Sequence, residues 1–384
     1  MRKPLLILSA AAVLADPVVA ADTFDIQHSR YRESDERVAV DFTNLKLSHE
    51  IGTDHTVTVN ASYDAISGAT PAWQAASPMY AVPDDVKHDA DGQQLYGQAV
   101  DGRYLVRKVA LTDTRKAASG TWAWRNARRD EWTVGAAHSR EKDFLSNEVS
   151  LETRINHTAE RNWVWLAGVA RQWNETDTLA ADFSTHRQSF AISSLTLGAL
   201  VTLSRDSMLE LRGYGARDRG FLSNHYQTVL RKQDDTLYLA ADSRPRNRDS
   251  GGVKVRWMQA WTPTLGSQLS YRYYRDSWEM RSHTVEAQLT WQATPSVRIS
   301  PSWRGYHQQA AFFYKPWKAD EPAFGLRGYA SNDDRLGKFD SHTVSLNGDW
   351  RFHPDWQLIA GATRYRQSTG LTANWLSVGV QYRF

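Results

Sequence analysis

The chain has 384 residues, with 46 basic against 43 acidic side chains and no cysteine. Lack of thiols excludes disulfide staples, thiolate metal sites and catalytic cysteines. The formal charge of +3 drops to about +1 once Arg2 and Lys3 are set aside, which gives nucleic acid no electrostatic hold.

Arg2 and Lys3 precede an apolar run from Leu5 to Ala15. Asp16 and Pro17 break it, and Val18, Val19, Ala20 and Ala21 follow. This order is that of a secretory signal over residues 1–21, cleaved after Ala20 or Ala21. The run is shorter than the roughly 20 residues a spanning helix needs. No cysteine follows it, so a lipoprotein anchor is excluded. Nothing later in the chain holds about 18 consecutive apolar residues, so a membrane-embedded form has to be a closed barrel, which satisfies its own backbone groups.

From residue 22 the pattern has period two, and it predicts an all-β fold. Thr23–Arg32 and Arg37–His49 read as strands joined across Glu33–Glu36, although the alternation of the second changes phase near Thr43. Asp54–Asp64 follows. Beyond a long connection over Ala65–Lys116 come Ala117–Arg125, Glu131–Ser139, Phe144–Ile155, Asn162–Trp173, Gln188–Leu203 and Ser207–Ala216. A second long connection, Arg217–Gly252, leads to Val253–Trp261, Gln268–Tyr274, His283–Gln292 and Val297–Tyr306. A third, His307–Asp340, leads to Ser341–Phe352, Trp356–Arg366 and Asn374–Phe384. In the last segment Leu376, Val378, Val380, Tyr382 and Phe384 share one face, and Ser377, Gly379, Gln381 and Arg383 share the other. An edge strand of a soluble sheet alternates in the same way. The count of 16 is even, and tight turns fall at the end that holds both termini while long loops fall at the other. That sorting is expected of an antiparallel up-and-down transmembrane barrel, with tight turns periplasmic and long loops outside the cell. The 16 Trp and 16 Tyr suit its two membrane boundaries. Tyr382 and Phe384 are expected to carry the barrel-assembly signal.

If the apolar faces meet lipid, the opposite positions line the lumen: Glu148, Glu152, Arg154, Glu210, Arg212, Lys254, Arg256, Arg272, Glu286, Arg298, Arg304, Asp349, Arg351 and Arg383. Nine basic and five acidic groups would favour anions mildly in an open channel. Equally, they would pair with one another and with folded-in loops, filling the lumen. The loop after His307 gathers Phe312, Phe313, Tyr314, Pro316 and Trp317, which is unusual for a solvated loop. It is expected to fold into the mouth as a constriction, dock a partner, or settle on neighbouring loops.

Catalytic patterns are sparse. No H-x-H or H-E-x-x-H spacing offers a metal site, and there is no G-x-S-x-G elbow or phosphate-binding glycine loop. Ser223, Asn224 and His225 are adjacent, but members of a triad converge in space, not in sequence. The acidic pairs Asp234–Asp235 and Asp333–Asp334 read as solvated loop charge, with divalent cations the lesser alternative. Neither enzyme activity, a metal nor a cofactor is expected.

Two stretches are more specific: Asp64-Ala65-Ile66-Ser67-Gly68-Ala69-Thr70-Pro71, and Ser139-Arg140-Glu141-Lys142-Asp143-Phe144-Leu145-Ser146. With Tyr31-Arg32-Glu33 and Arg37-Val38-Ala39-Val40, they resemble a bacterial outer-membrane family, domain of unknown function 3570, over essentially the whole mature chain. The segment after Arg217 matches least well. The resemblance implies an outer-membrane location in a Gram-negative bacterium and no established activity. It also implies neighbouring genes for a flavin transferase, a thioredoxin-like protein and a small lipoprotein. Gly68 and Pro71 suit a sharp exit from a strand, capped by the oxygens of Asp64, Ser67 and Thr70. Glu141 and Asp143 with Arg140 and Lys142 make a compact charged tip, and Ser139, Phe144 and Ser146 complete that family stretch.

Two functions are expected from these readings. One is a porin-like channel for small hydrophilic solutes. The other is a non-conducting scaffold that houses or docks a periplasmic redox protein or a surface lipoprotein. Either would contact outer-membrane lipid, lipopolysaccharide and the barrel-assembly machinery.

Overall fold

A computed structural model describes residues 22–80, 95–157, 162–179 and 185–384; the predicted signal segment lies outside them. The strands are β1 Thr23–Glu33, β2 Val38–Ile51, β3 His55–Ala75, β4 Met79–Tyr80, β5 Leu95–Ala99, β6 Tyr104–Arg125, β7 Glu131–Arg140, β8 Phe144–Asn156, β9 Trp163–Leu179 and β10 Thr185–Ser204. They continue as β11 Ser207–Gly220, β12 Thr228–Gln233, β13 Thr236–Ala241, β14 Asn247–Thr262, β15 Leu265–Asp276, β16 Arg281–Thr294, β17 Val297–Gln308, β18 Phe324–Gly325, β19 Phe339–His353, β20 Trp356–Gln367 and β21 Thr372–Arg383.

Sixteen of these strands form a closed antiparallel barrel in chain order, and β4, β5, β12, β13 and β18 form a separate five-stranded sheet. Closure pairs Thr23 with Arg383 and continues unbroken to Glu33 opposite Ala373. The ring therefore leaves no unpaired edge, which an apolar solvent requires. Alternation fixes the faces. Leu45, Leu47, Val149, Leu151, Leu195, Leu197, Leu376 and Val378 all point outward and are exposed. On β16, Val285, Ala287 and Leu289 lie between His283, which touches the Tyr271 ring, and Trp291. Eight residues of strand span roughly 26 Å, about 20 Å in height at the usual barrel tilt. A second set of touching rings (Trp122–Trp124, Trp163–Trp165, Trp257–Trp261, Trp350–Phe352 and Trp356–Tyr382) runs beside the tight turns. Tyr382 in turn stacks on Phe384.

Four of the tight turns share one device. Ser204, Thr262, Thr294 and His353 each accept, through the side chain, the backbone N–H two residues on. That bond lets a polar side chain close the turn without a special backbone angle.

The sequence places every barrel strand, but two readings are corrected. The strands facing the long connections run on: β3 reaches Ala75 and β6 begins at Tyr104, paired throughout. Lipid no longer imposes an apolar face there, so the period-two signal fades while the ladder persists. The Asp64–Pro71 stretch is consequently strand, not a turn. Ser67 faces Ala39 and Gly68 faces Val38. Gly68 has φ +152°, and a Cβ there would lie 2.1 Å from the Arg37 carbonyl oxygen. Ala69 donates to that oxygen, so Pro71, two residues on, directs its missing N–H past the start of β2, where no ladder bond is due. The strand expected over Arg37–His49 is present as the unbroken β2. Its phase change marks where the apolar side turns inward: Val38 and Val40 are buried, whereas Leu45 and Leu47 face out.

Candidate functional site: a capped chamber in the barrel

The five-stranded sheet covers the end of the barrel opposite the termini. Its core combines Leu95, Val229, Ala240, Phe324 and Ala330, with a second group around Trp73, Leu230 and Leu239. Arg231 is fully buried between them and donates to the carbonyls of Gly325, Arg327 and Gly328. A guanidinium thus supplies the polar partners that the short strand β18 lacks.

The cap is fastened around the rim. Trp73 on β3 donates from Nε1 to Asn332 at 3.1 Å, and Thr228 donates to the Trp73 carbonyl at 2.8 Å. Arg37 reaches Asp334 at 3.4 Å from the β2 side, and His225 pairs with Asp143 at 3.3 Å on the β7–β8 turn. Across the mouth, Phe313 and Leu336 join Phe190, Trp278 and Met280 in one apolar cluster. Of the aromatic loop, Phe313 is buried and Trp317 lies against Trp73, while Phe312 remains 52% exposed. The loop therefore forms part of the cap.

At its centre lies a buried ionic knot. Arg244 contacts Asp242 at 2.7 Å and Asp333 at 2.8 Å, and Arg335 also pairs with Asp333. Burial opposes ionisation of Asp333, but the two guanidiniums outweigh it and hold the carboxyl well below the usual range. Burial pushes neighbouring Asp334 up, and Arg37 only partly counters that. The expectation that Asp333–Asp334 is solvated loop charge is thus corrected, because Asp333 is buried. Asp234 and Asp235 do lie exposed, at the tip between β12 and β13.

Beneath the cap is a cavity of about 850 Å³ whose wall includes Tyr31, Arg304, Tyr306, Thr343, Tyr365 and Trp375. A second hollow, about 420 Å³, adjoins it and shares Arg304, Tyr306 and Gln308. Several predicted lumen charges are paired along the wall. Glu210 bonds Arg212 and lies 3.4 Å from Arg256. Glu286 faces Arg304 at 3.3 Å and Lys254 at 3.9 Å, and Arg298 meets Asp349 at 2.7 Å. Gln357 joins Asp349 at 2.9 Å and accepts from Arg383 at 3.5 Å. Among the described residues Arg272 has no acid in contact; it donates to the Tyr214 hydroxyl at 2.6 Å and lies 4.8 Å over that ring. Glu148, Glu152 and Arg154 stand opposite Ala137, Thr133 and Glu131, and Arg351 opposite Gln357. The wall is thus largely charge-neutral below the cap, with its cationic excess near the top.

Ser223, Asn224 and His225 diverge. Ser223 accepts from the Arg244 amide, Asn224 donates to Asp333, and His225 contacts Asp143. They hold the cap together. On the rim, Asp113, Glu141 and Asp143 bring their oxygens within 4.8 Å of one another. Strand pairing creates this group, and no spacing in the chain announces it. In the second family stretch, Ser139 pairs with Ser146, Glu141 donates to the Phe144 carbonyl, and Phe144 packs on the apolar cluster of the cap.

The fold defines this chain as a 16-stranded transmembrane β-barrel of the outer-membrane type, closed at one end by its own loops. It belongs to the family described as protein of unknown function DUF3570, whose profile matches residues 5–381. No curated protein sequence is similar to it. Among solved structures it is similar to CdiB from Acinetobacter baumannii (7% identity, TM-score 0.44, 94% of this chain and 60% of that one). It is also similar to a ferric enterobactin receptor of Pseudomonas aeruginosa (11%, 0.42, 91% and 53%) and a bacterial polysaccharide outer membrane secretin (8%, 0.47, 96% and 99%). The chain thus spans little more than half the length of the first two.

Proposed function

We propose that the protein resides in the outer membrane, termini toward the periplasm and cap toward the outside, and passes small hydrophilic solutes through a lumen that its cap holds closed at rest. The supporting observation is the chamber itself: about 850 Å³ of space walled by hydroxyl, aromatic and charged side chains, and roofed by a folded sheet. A filler with no transport role would not require a polar chamber beneath its roof. Planar-bilayer recording tests this reading. The intact protein is expected to show rare, small current steps, and a variant with residues 228–241 replaced by a short Gly-Ser linker is expected to show frequent, larger ones. Silence from both, with the barrel still heat-modifiable on a gel, would refute transport.

A scaffold role is the second reading. It is favoured by Phe312 and Tyr329, which touch edge to face at 6.4 Å and stay 52% and 43% exposed on the cap. A surface lipoprotein could cover such an aromatic pair.

A further inference from the structure

The smaller hollow has a composition that the paired wall below it does not. Among the described residues, six arginines line it (Arg244, Arg248, Arg272, Arg281, Arg304 and Arg335), with Asp333 as the single acid. The other acids that balance these cations lie outside the lining: Asp242 behind Arg244, Asp276 behind Arg248, and Glu286 below Arg304. Among the described residues, Arg272 has no carboxylate in ion-pair contact; it spends its Nε on Tyr214 and has its two terminal nitrogens to offer. Arg281, beside Ser282 on β16, alternates to the outer face with His283 and Val285 and meets the hollow only at its edge. Register places Thr284 between Arg272 and Tyr306, and Ser282 between Tyr274 and Gln308, so two buried hydroxyls join the cations on one wall. Arg248 is locked in place by Asp276 and by the Trp278 ring 4.6 Å away, which makes that side of the hollow rigid.

We infer that this hollow is a binding site for a small soluble polyanion, carrying two or more negative charges on phosphate or carboxylate groups. Guanidiniums present forked donors that match such oxygens, and they do so most strongly where the cap excludes water. At 420 Å³ the space accommodates a compact anion with several waters, and its position inside the ring excludes the acyl chains of a lipid. The site stands independently of conduction: a sealed barrel would bind the anion equally well.

Titration calorimetry on the detergent-solubilised full chain, with pyrophosphate and citrate as probes and sucrose as the neutral control, tests the inference. Both anions are expected to bind, more weakly as salt rises, and sucrose is not. Arg272→Gln is expected to weaken anion binding about tenfold, the loss of one charge-assisted contact. Arg212→Gln, which alters a charge outside the hollow, is expected to leave it unchanged. Thr284→Val, which keeps every cation, serves if R272Q does not assemble, and a severalfold loss is expected there. Absence of anion binding by the heat-modifiable wild type, or equal binding by R272Q, would overturn the site. Because the readout is heat and not current, its failure is distinguishable from failure of the transport proposal.

Discussion

Replacing Asp333 with Asn removes the charge that holds two guanidiniums, and leaves Arg244 with Asp242 alone at 2.7 Å. Breaking a buried pair from one side costs roughly 3–5 kcal/mol, and because Asp242 still serves Arg244 the lower figure applies here, about 3 kcal/mol. The barrel ladder does not pass through Asp333, so the loss falls on the cap. Hydrogen exchange followed by mass spectrometry reads it directly: about 3 kcal/mol off the local opening energy speeds exchange of the β12–β13 amides on the order of 150-fold. The acid side has a definite sign. Because the folded carboxyl is held well below its ordinary value, its contribution is complete above the unfolded value near pH 4 and fades only as pH falls through the depressed folded value. The wild-type cap should therefore stay protected at pH 4, and the variant should not. Equal protection of the β12–β13 amides in the two proteins would refute the assignment of the knot as the fastening of the cap.

Four other outcomes are expected. Asp334→Asn should slow cap exchange or leave it unchanged at neutral pH, since burial raises that carboxyl and its ionised form is a cost that protonation at lower pH relieves; accelerated exchange would contradict this. Gly68→Ala sets a side chain against the Arg37 carbonyl, and should lower the unfolding temperature or abolish the heat-modifiable band. Trp73→Phe removes the 3.1 Å bond to Asn332 and should weaken cap protection by about 1–2 kcal/mol, measured by the same exchange experiment. Deleting Phe384 should reduce the amount of assembled barrel recovered from membranes, and unchanged recovery would show that the terminal ring carries no assembly information.

The barrel was legible in the sequence because lipid demands one apolar side chain in two along every spanning strand. Leu376 to Phe384 and Val285 to Trp291 show that demand plainly. The cap was not legible, for opposite reasons. Val229, Leu230, Leu239 and Ala240 are buried in adjacent pairs, since both faces of that small sheet are covered, and period two disappears. Arg231, Asp242, Arg244 and Asp333 look like surface charge and become interior through partners far away in the chain. The chamber shares that character. Arg272 and Arg304 could be placed on the inner face by counting along strands, but Arg244 and Arg335 reach the same hollow only through the fold of the loops. Gly68 and Pro71 misled because their turn preferences served a close strand approach and an edge position.

The cap is stitched from connections that lie far apart in the chain. β5 pairs with β13, and β12 runs parallel to β18. No single connection can therefore build the roof: β12 and β13 pair locally, but β5 and β18 join them only when all three long connections come together. Interrupting any one of those connections should loosen the whole sheet, including the strands contributed by the other two.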